Sequence, residues 1–308
     1  MQIHKGLHAQ PKTKNAVVTS GTFDGVHLGH KHILQQLSKE AKAMDGESVV
    51  ITFWPHPKMI LEPQSEMQLL SSLEEKLELF KNFDLDHVWV IPFDREFSLL
   101  SSQDFIQEII IKSLNTSKLI IGYDHRFGKN REGSFEFLVK NKPLFPFLIE
   151  EIEKQTIDSL AFSSTLIRDF LLVGEIEKST ELLGYQYSIS GIVVKGFQNG
   201  RLLGFPTANL EIDFTSKLIP KDGVYAIKVK RTKGQEIFAM LNIGNRPTLK
   251  TGRSIEAHLL DFNESIYGEK LKIEFFCKLR DENKFESKEK LIEQLKLDEN
   301  KTRQYFDI

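Results

Sequence analysis

The chain has 308 residues, 41 basic against 43 acidic, and a formal net charge of -2. That length is where a single hydrophobic core stops growing, so two domains are expected. The balanced charge excludes a global pull toward nucleic acid or an anionic membrane, and any phosphate binding has to come from local basic sites. The single cysteine, Cys277, sits in the apolar run IEFFCKL and cannot form an intramolecular disulfide. This fits a reducing compartment and a core position. The N-terminal segment lacks the apolar run of a signal peptide, and no stretch approaches a membrane span, so the expected location is cytoplasmic.

From Asn15 to about Gly184 short apolar runs alternate with helical periodicity. AVVTSG leads into a helix from about Gly29, SVVITF into a helix around Leu73 to Phe83, and HVWVIPF into a helix near Asp104 to Ser113, followed by SKLIIGY. This alternation predicts βαβ units, a parallel sheet, and ligands at the carboxyl ends of the strands. After Tyr185 the character changes to strands with turn signals: YSISGIVVKG, GVYAIKVKR, EIFAMLNIG, SIEAHLLDF and KLKIEFFCKL. These predict an antiparallel barrel or sandwich. Ser287 to Phe306 returns to helical spacing, with Leu291, Ile292, Leu295 and later Tyr305 on one face. The boundary is expected near residues 184 to 187, giving domains 1–185 and 186–308. No repeat or low-complexity segment is visible.

In the first half GTFDGVHLGH, residues 21 to 30, follows a strand pattern and precedes a helix pattern. Gly21, Gly25 and Gly29 let backbone approach a phosphate, the helix N-terminus offers unpaired N–H groups, and His27 and His30 can hydrogen-bond phosphate oxygens. A capping turn or a metal-binding histidine pair is the alternative. The ten residues resemble the HxGH signature of the nucleotidyltransferase superfamily, in the form found in prokaryotic FAD synthetases. SSTLIRDFL, residues 163 to 171, resembles the second signature of that superfamily, with Phe162 where isoleucine is usual. There Ser163, Ser164 and Thr165 would cap a helix and Arg168 would follow one turn on. The resemblance places Gly21, Phe23, Asp24, Gly25, Gly29, Ser163, Ser164 and Thr165 at ATP or its phosphates, and His27, His30 and Arg168 in catalysis.

Two further segments resemble flavin-binding elements of bacterial FAD synthetases. ITFWPHP, residues 51 to 57, contributes His56. IGYDHRFGKNREG, residues 121 to 133, contributes Asp124, His125, Arg126 and Phe127, with His125 standing where phenylalanine is usual. An imidazole there stacks on a flavin less well than a phenyl ring and can carry charge.

In the second half GFQNGRLLGFPTANL, residues 196 to 210, brings two glycine-containing loops to PTAN. A threonine hydroxyl and an asparagine carbonyl there are suitable for Mg²⁺ and phosphate; a proline-initiated hairpin turn is the alternative. The order of PTAN, DGVYAIKV, LNIGNRPT, IEAHLLDF, IYGEKLKIEF and LRDENKF resembles the riboflavin kinase family over nearly all of residues 186 to 308. Asn245 and Arg246 depart from its usual residues after N-I-G. The resemblance implies an all-β six-stranded barrel closed by a C-terminal helix, behind an α/β Rossmann-like HxGH domain. It also implies that Thr207 and Asn209 bind Mg²⁺ and ATP phosphates beside Gly204 and Pro206, and that Glu256 is the general base. Arg280 and Asp281 would lie near flavin or phosphate, with His258 in support on the sheet face of Glu256.

Together the two halves resemble the bifunctional enzymes that convert riboflavin to FMN and FMN to FAD with ATP and Mg²⁺. The expected partners are then riboflavin, FMN and ATP, with no nucleic acid and no membrane. A different nucleotidyltransferase would leave the second domain without a purpose, and a flavin-responsive regulatory protein would have no need of these intact polar residues.

Overall fold

The computed structural model describes all residues except 154–155, 158–159, 197–199, 201–202 and 246–252, with backbone alone at 156–157, 160–161 and 245. Parts of the loops before PTAN and after N-I-G, including Arg246, therefore lie outside the described residues. The chain forms two compact units, Met1–Ser164 and Thr165–Ile308.

The first unit is a parallel sheet of β1 (Gln2–Lys5), β2 (Ala16–Gly21), β3 (Ser48–Trp54), β4 (His87–Pro92), β5 (Thr116–Gly122) and β6 (Leu148–Ile152), in the order β1-β4-β3-β2-β5-β6. Crossover segments include α1 (Leu28–Ala43), the short α2 (Pro57–Leu61) and α3 (Leu73–Phe80). A short α4 (Ser102–Asp104) continues as a π-helix over Phe105–Lys112, and α5 (Phe135–Lys140) follows β5. The helix expected to reach Phe83 ends at Phe80, and the expected helix over 104–113 has this wider turn. The Asn-free apolar run FIQEIIIK buries Phe105, Ile106, Ile109 and Ile110, so packing holds the widened turn in place.

Strands β2 to β4 are buried on both faces, which is why they read as continuous apolar runs rather than alternating ones. One core gathers Val18, Ile51, Trp89 and Phe105 with Phe127; the other gathers Val17, Leu34, Phe80 and Val88 with Phe23. Because β2 is followed on one side by β3 and flanked on the other by β5, the connections diverge at the carboxyl ends of β2 and β5. Such a switch point leaves a crevice for ligands. A small hairpin, β7 (Thr156–Ile157) and β8 (Leu160–Ala161), precedes α6 (Ser164–Val173).

The second unit is a closed antiparallel barrel, β10-β13-β12-β11-β14-β9. Its strands are β9 (Ser188–Val194), β10 (Ala208–Ile212), β11 (Gly223–Arg231), β12 (Glu236–Asn245), β13 (Arg253–Leu259) and β14 (Lys270–Arg280). Closure removes both sheet edges and encloses Tyr187, Ile189, Tyr225, Ile227, Leu241, Ala257, Ile273 and Phe275. Helix α8 (Lys288–Phe306), with Ser287 as its N-cap, lies along the barrel. There Phe306 meets Phe238 and Phe276 at ring-centroid distances of 4.4 and 5.1 Å.

The structural division falls earlier than the change of sequence character near residues 184 to 187. Helix α7 (Ile176–Leu183) belongs to the barrel unit, contacts β14 and buries Ile176, Leu182 and Leu183. Each such side chain contributes roughly 1.5–3 kcal/mol when buried. A fragment of residues 165–308 is accordingly expected to unfold cooperatively at a clearly higher temperature than one of residues 184–308. Equal melting temperatures by circular dichroism would show that α6 and α7 do not stabilise the barrel.

Candidate active sites

The turn from β2 to α1 carries the histidines. Its backbone is constrained: Phe23, Gly25 and Val26 all have positive φ, at 49°, 76° and 37°. For the β-branched Val26 this conformation is costly, and such strain persists only where surrounding contacts over-determine it. Those contacts come mainly from Asp24. Its buried carboxylate accepts the N–H groups of Leu70 and Ser71, both at 3.1 Å, while the Ser71 hydroxyl receives the Gly25 N–H at 3.1 Å.

His27 is the N-cap of α1, its Nδ1 accepting the His30 N–H at 3.4 Å. The two imidazoles stack with centroids 3.7 Å apart, and Phe23 meets His30 edge-on at 5.1 Å. A Cβ on Gly29 would lie 3.0 Å from Phe162 Cβ and 3.3 Å from the His27 ring, so this first turn tolerates no larger residue without displacement. Burial, with His27 and Lys76 adding to it, holds the His30 imidazole neutral well below the usual histidine range. Its Nδ1 is buried without a hydrogen-bond partner among the described residues.

Ser164, at the start of α6, donates its hydroxyl to the Asp24 carbonyl at 2.9 Å, which joins the serine-rich segment to the histidine turn. Thr165 is exposed, and Arg168 lies half-buried one turn along α6. Asp24 thus clamps the turn through these hydrogen bonds.

The loop after β5 alternates outward and inward side chains. Asp124 and Arg126 are exposed; Phe127 is buried, and its backbone bridges that of Gly133. His125 hydrogen-bonds Ser20 Oγ through Nε2 at 3.1 Å and stacks on Phe127 at 5.8 Å. The bond ties this loop to β2 one residue before the histidine turn. Burial, with Arg131 and Arg126 close by, lowers the His125 pKa to about 4. The imidazole is therefore neutral at physiological pH, which corrects the expectation of a chargeable group. His56 caps α2, its Nδ1 accepting the Lys58 N–H at 3.2 Å.

The second cluster lies on the outer face of the barrel. Ala208 and Leu210 of β10 and Ile255, Ala257 and Leu259 of β13 point inward, leaving Asn209, Glu256 and His258 on the opposite face. Asn209 stands directly across from Glu256, and the Thr207 hydroxyl donates to Glu256 Oε2 at 3.2 Å. His258 Nδ1–H donates to the Pro206 carbonyl at 2.8 Å, which fixes both the imidazole and the PTAN segment. Gly204, with φ of 83°, turns the loop into Phe205, and the Asn209 amide occupies the space a Cβ on Gly196 would need.

Asn242 of β12, the first residue of the N-I-G element, also stands across from Glu256, a neighbour to which the sequence reading assigned no role. Its strand parity relative to the buried Leu241 and Ile243 was the available signal.

Arg280 and Asp281 are not part of this cluster. Arg280 pairs with the fully buried Asp298 of α8, Nε lying 3.0 Å from Oδ2 and a terminal nitrogen 2.8 Å from it, and stacks on Phe285. Asp281 pairs with Lys221 at 3.3 Å and with Lys278. The Arg280 contacts fasten the C-terminal helix, and breaking such a buried pair typically costs about 3–5 kcal/mol.

The FAD synthetase family model matches residues 9–166, and the riboflavin kinase model matches residues 183–306. A curated bifunctional riboflavin kinase/FMN adenylyltransferase of Buchnera aphidicola is 36% identical, with both chains covered in full. The chain belongs to the bifunctional riboflavin kinase/FMN adenylyltransferase family. A family member from Listeria monocytogenes is 38% identical over 95% of this chain and 93% of its own. A crystal structure described as a macrolide-efflux protein of Streptococcus pneumoniae is also similar, with a TM-score of 0.87 and 31% identity over 96% of this chain and 95% of that one. It shares the architecture of this family member; no helix among the described residues here is long and apolar enough to cross a membrane.

The neutral, half-buried His125 links folding to pH. Its folded pKa of about 4 lies below the ordinary histidine value of about 6.5, so the unfolded chain binds the extra proton between these values. Stability from this group is complete above about pH 6.5 and is lost as pH falls toward 4, by at most about 3 kcal/mol. His125→Phe should flatten this part of the melting-temperature profile between pH 7 and 4. Superimposable wild-type and variant profiles would mean that His125 is solvated.

Proposed function

We propose that this chain makes FMN from riboflavin and ATP on the outer barrel face, and FAD from FMN and a second ATP at the histidine turn. The observation that carries the reading is the Thr207–Asn209–Glu256 cluster in one unit and the stacked His27–His30 pair at a helix N-terminus in the other. Each cluster has its own chemistry.

In the kinase step Glu256 is the general base. Its carboxylate takes the proton of the riboflavin 5′-hydroxyl as that oxygen bonds the γ-phosphorus, while the bond from γ-phosphorus to the bridging oxygen breaks and ADP leaves. Thr207 holds the carboxylate by its hydroxyl hydrogen bond, and Asn242 borders it from the neighbouring strand. The Thr207 hydroxyl and Asn209 carbonyl are hard oxygen donors beside the carboxylate, a set that fits Mg²⁺ accompanied by substrate phosphates and water. Bound there, the ion neutralises charge on the phosphates.

In the second step an FMN phosphate oxygen attacks the α-phosphorus of ATP, and the α–β bridging bond breaks to release pyrophosphate. The nucleophile is already ionised, so the histidines have no proton to abstract. His27 and His30 donate to phosphate oxygens, the first-turn N–H groups of α1 add their partial positive charge, and Arg168 contributes a guanidinium. Asp24 and Ser164 hold the turn, while His125 and Phe127 line the flavin side with Asp124 and Arg126 at its rim. His56 positions the start of α2 by capping it.

The enzyme works in the cytoplasm on this reading, consistent with a lone buried Cys277 whose thiol pKa is pushed up to about 11 by burial.

Two variants test the separation of centres. His30→Ala should reduce FAD formation from FMN roughly 100- to 1000-fold and leave riboflavin phosphorylation near normal. Glu256→Gln should lower FMN formation about 100-fold while supplied FMN is still converted to FAD. Chromatographic separation of the flavins reads both, and equal loss of both activities in either folded variant would refute two independent centres.

A further inference from the structure

Lys76 is a buried lysine on α3, 2% exposed, and none of the motifs above includes it. Its Nζ lies over the Trp54 ring, 5.5 Å from the centroid, and makes no hydrogen bond or ion pair among the described residues. Trp54 ends β3, at the same carboxyl edge of the sheet as the histidine turn. An ammonium removed from water loses more in hydration than a ring face returns.

The charged groups that act on it are Asp24, which favours the ammonium, and His30, whose imidazole is held neutral partly by Lys76. Asp24 already accepts two backbone N–H groups and a hydroxyl. His30 Nδ1 is itself buried and unpartnered. A lysine that is 2% exposed and a buried imidazole nitrogen without a hydrogen-bond partner among the described residues thus occupy the region of one anion-binding turn. A phosphate oxygen satisfies both at once.

We propose that Lys76 is a further charged residue of the adenylyl-transfer centre, its ammonium and the His30 imidazole together receiving a phosphate oxygen of the reacting nucleotides. This rests on the adenylyl-transfer reading of the histidine turn. Burial beneath the turn makes the charge effective, because little water screens it from the phosphate. It also lowers the lysine pKa to about 8 in the free protein, against the attraction of Asp24. The ammonium is present below that pH and is lost above it, so kcat/KM for FAD formation should decline as pH rises through about 8.

The test uses the full-length protein and measures FAD formation from FMN and riboflavin phosphorylation side by side. Lys76→Gln should lower FAD formation about 100-fold and leave FMN formation within about twofold. Calorimetric titration with pyrophosphate and, separately, with FMN identifies the phosphate: weaker pyrophosphate binding assigns the ATP triphosphate, and weaker FMN binding assigns the flavin phosphate. Wild-type FAD formation by a folded Lys76→Gln protein overturns the proposal.

If that variant does not fold, the wild-type pH profile and Lys76→Arg decide. An arginine keeps its charge and should move the basic limb upward. A wild-type profile with no decline from pH 7 to well above about 8 overturns the proposal. A wild-type protein that makes no FAD at all refutes the underlying function instead, since the Lys76 comparison begins from measurable FAD synthesis.

Discussion

A carboxylate taken out of water has to find donors, and Asp24 finds them in the backbone of Leu70 and Ser71 and in the Ser71 hydroxyl. This exchange fixes three things together. It clamps the strained turn of Phe23 to Val26, it positions the start of α3 next to the turn, and it leaves the Asp24 carbonyl available to the Ser164 hydroxyl. The stacked histidines, the Gly29 approach and the Lys76 ammonium all depend on the turn holding that shape. Removing the carboxylate would orphan buried N–H groups at about 1–3 kcal/mol each.

The barrel solves a different problem. Its interior is filled with aromatic and aliphatic side chains, so reactive groups can stand only on its outside. Strand parity then does the selection: with Ala208, Leu210 and Ala257 committed inward, Asn209 and Glu256 are brought face to face outward by the β10–β13 register. A slip of one residue would exchange the two sets, and the buried apolar face opposes that slip. The Arg280–Asp298 pair and the Phe306 contacts hold α8 on the same barrel without entering its chemistry.

Much of the protein was legible from residue order. Short apolar runs alternating with helical spacing announced a parallel α/β sheet, and the turn-separated strands after Tyr185 announced an antiparallel barrel or sandwich. The glycine and histidine spacing of residues 21 to 30 located an anion-binding strand-to-helix turn, because these demands are local. The N-terminal strand β1 escaped notice: QIHK is short, and only its parallel pairing with β4 makes it a strand.

Tertiary structure decided which polar residues remain available for chemistry. Asp24 and Arg280 read as ligand contacts in a motif, and the fold also engages them with partners 46 and 18 residues away. His125 looks chargeable, and burial against Ser20 and Phe127 makes it neutral. Lys76 looks like one more surface lysine in LEEKLELF, whereas the fold buries it over Trp54. The sequence by itself determined the strand and helix periodicities, the two classes of fold and the local turn chemistry, since each depends on neighbours a few residues apart. Charge state, hydrogen-bond saturation and solvent access depend on segments brought together from distant parts of the chain, and only the tertiary structure decided them.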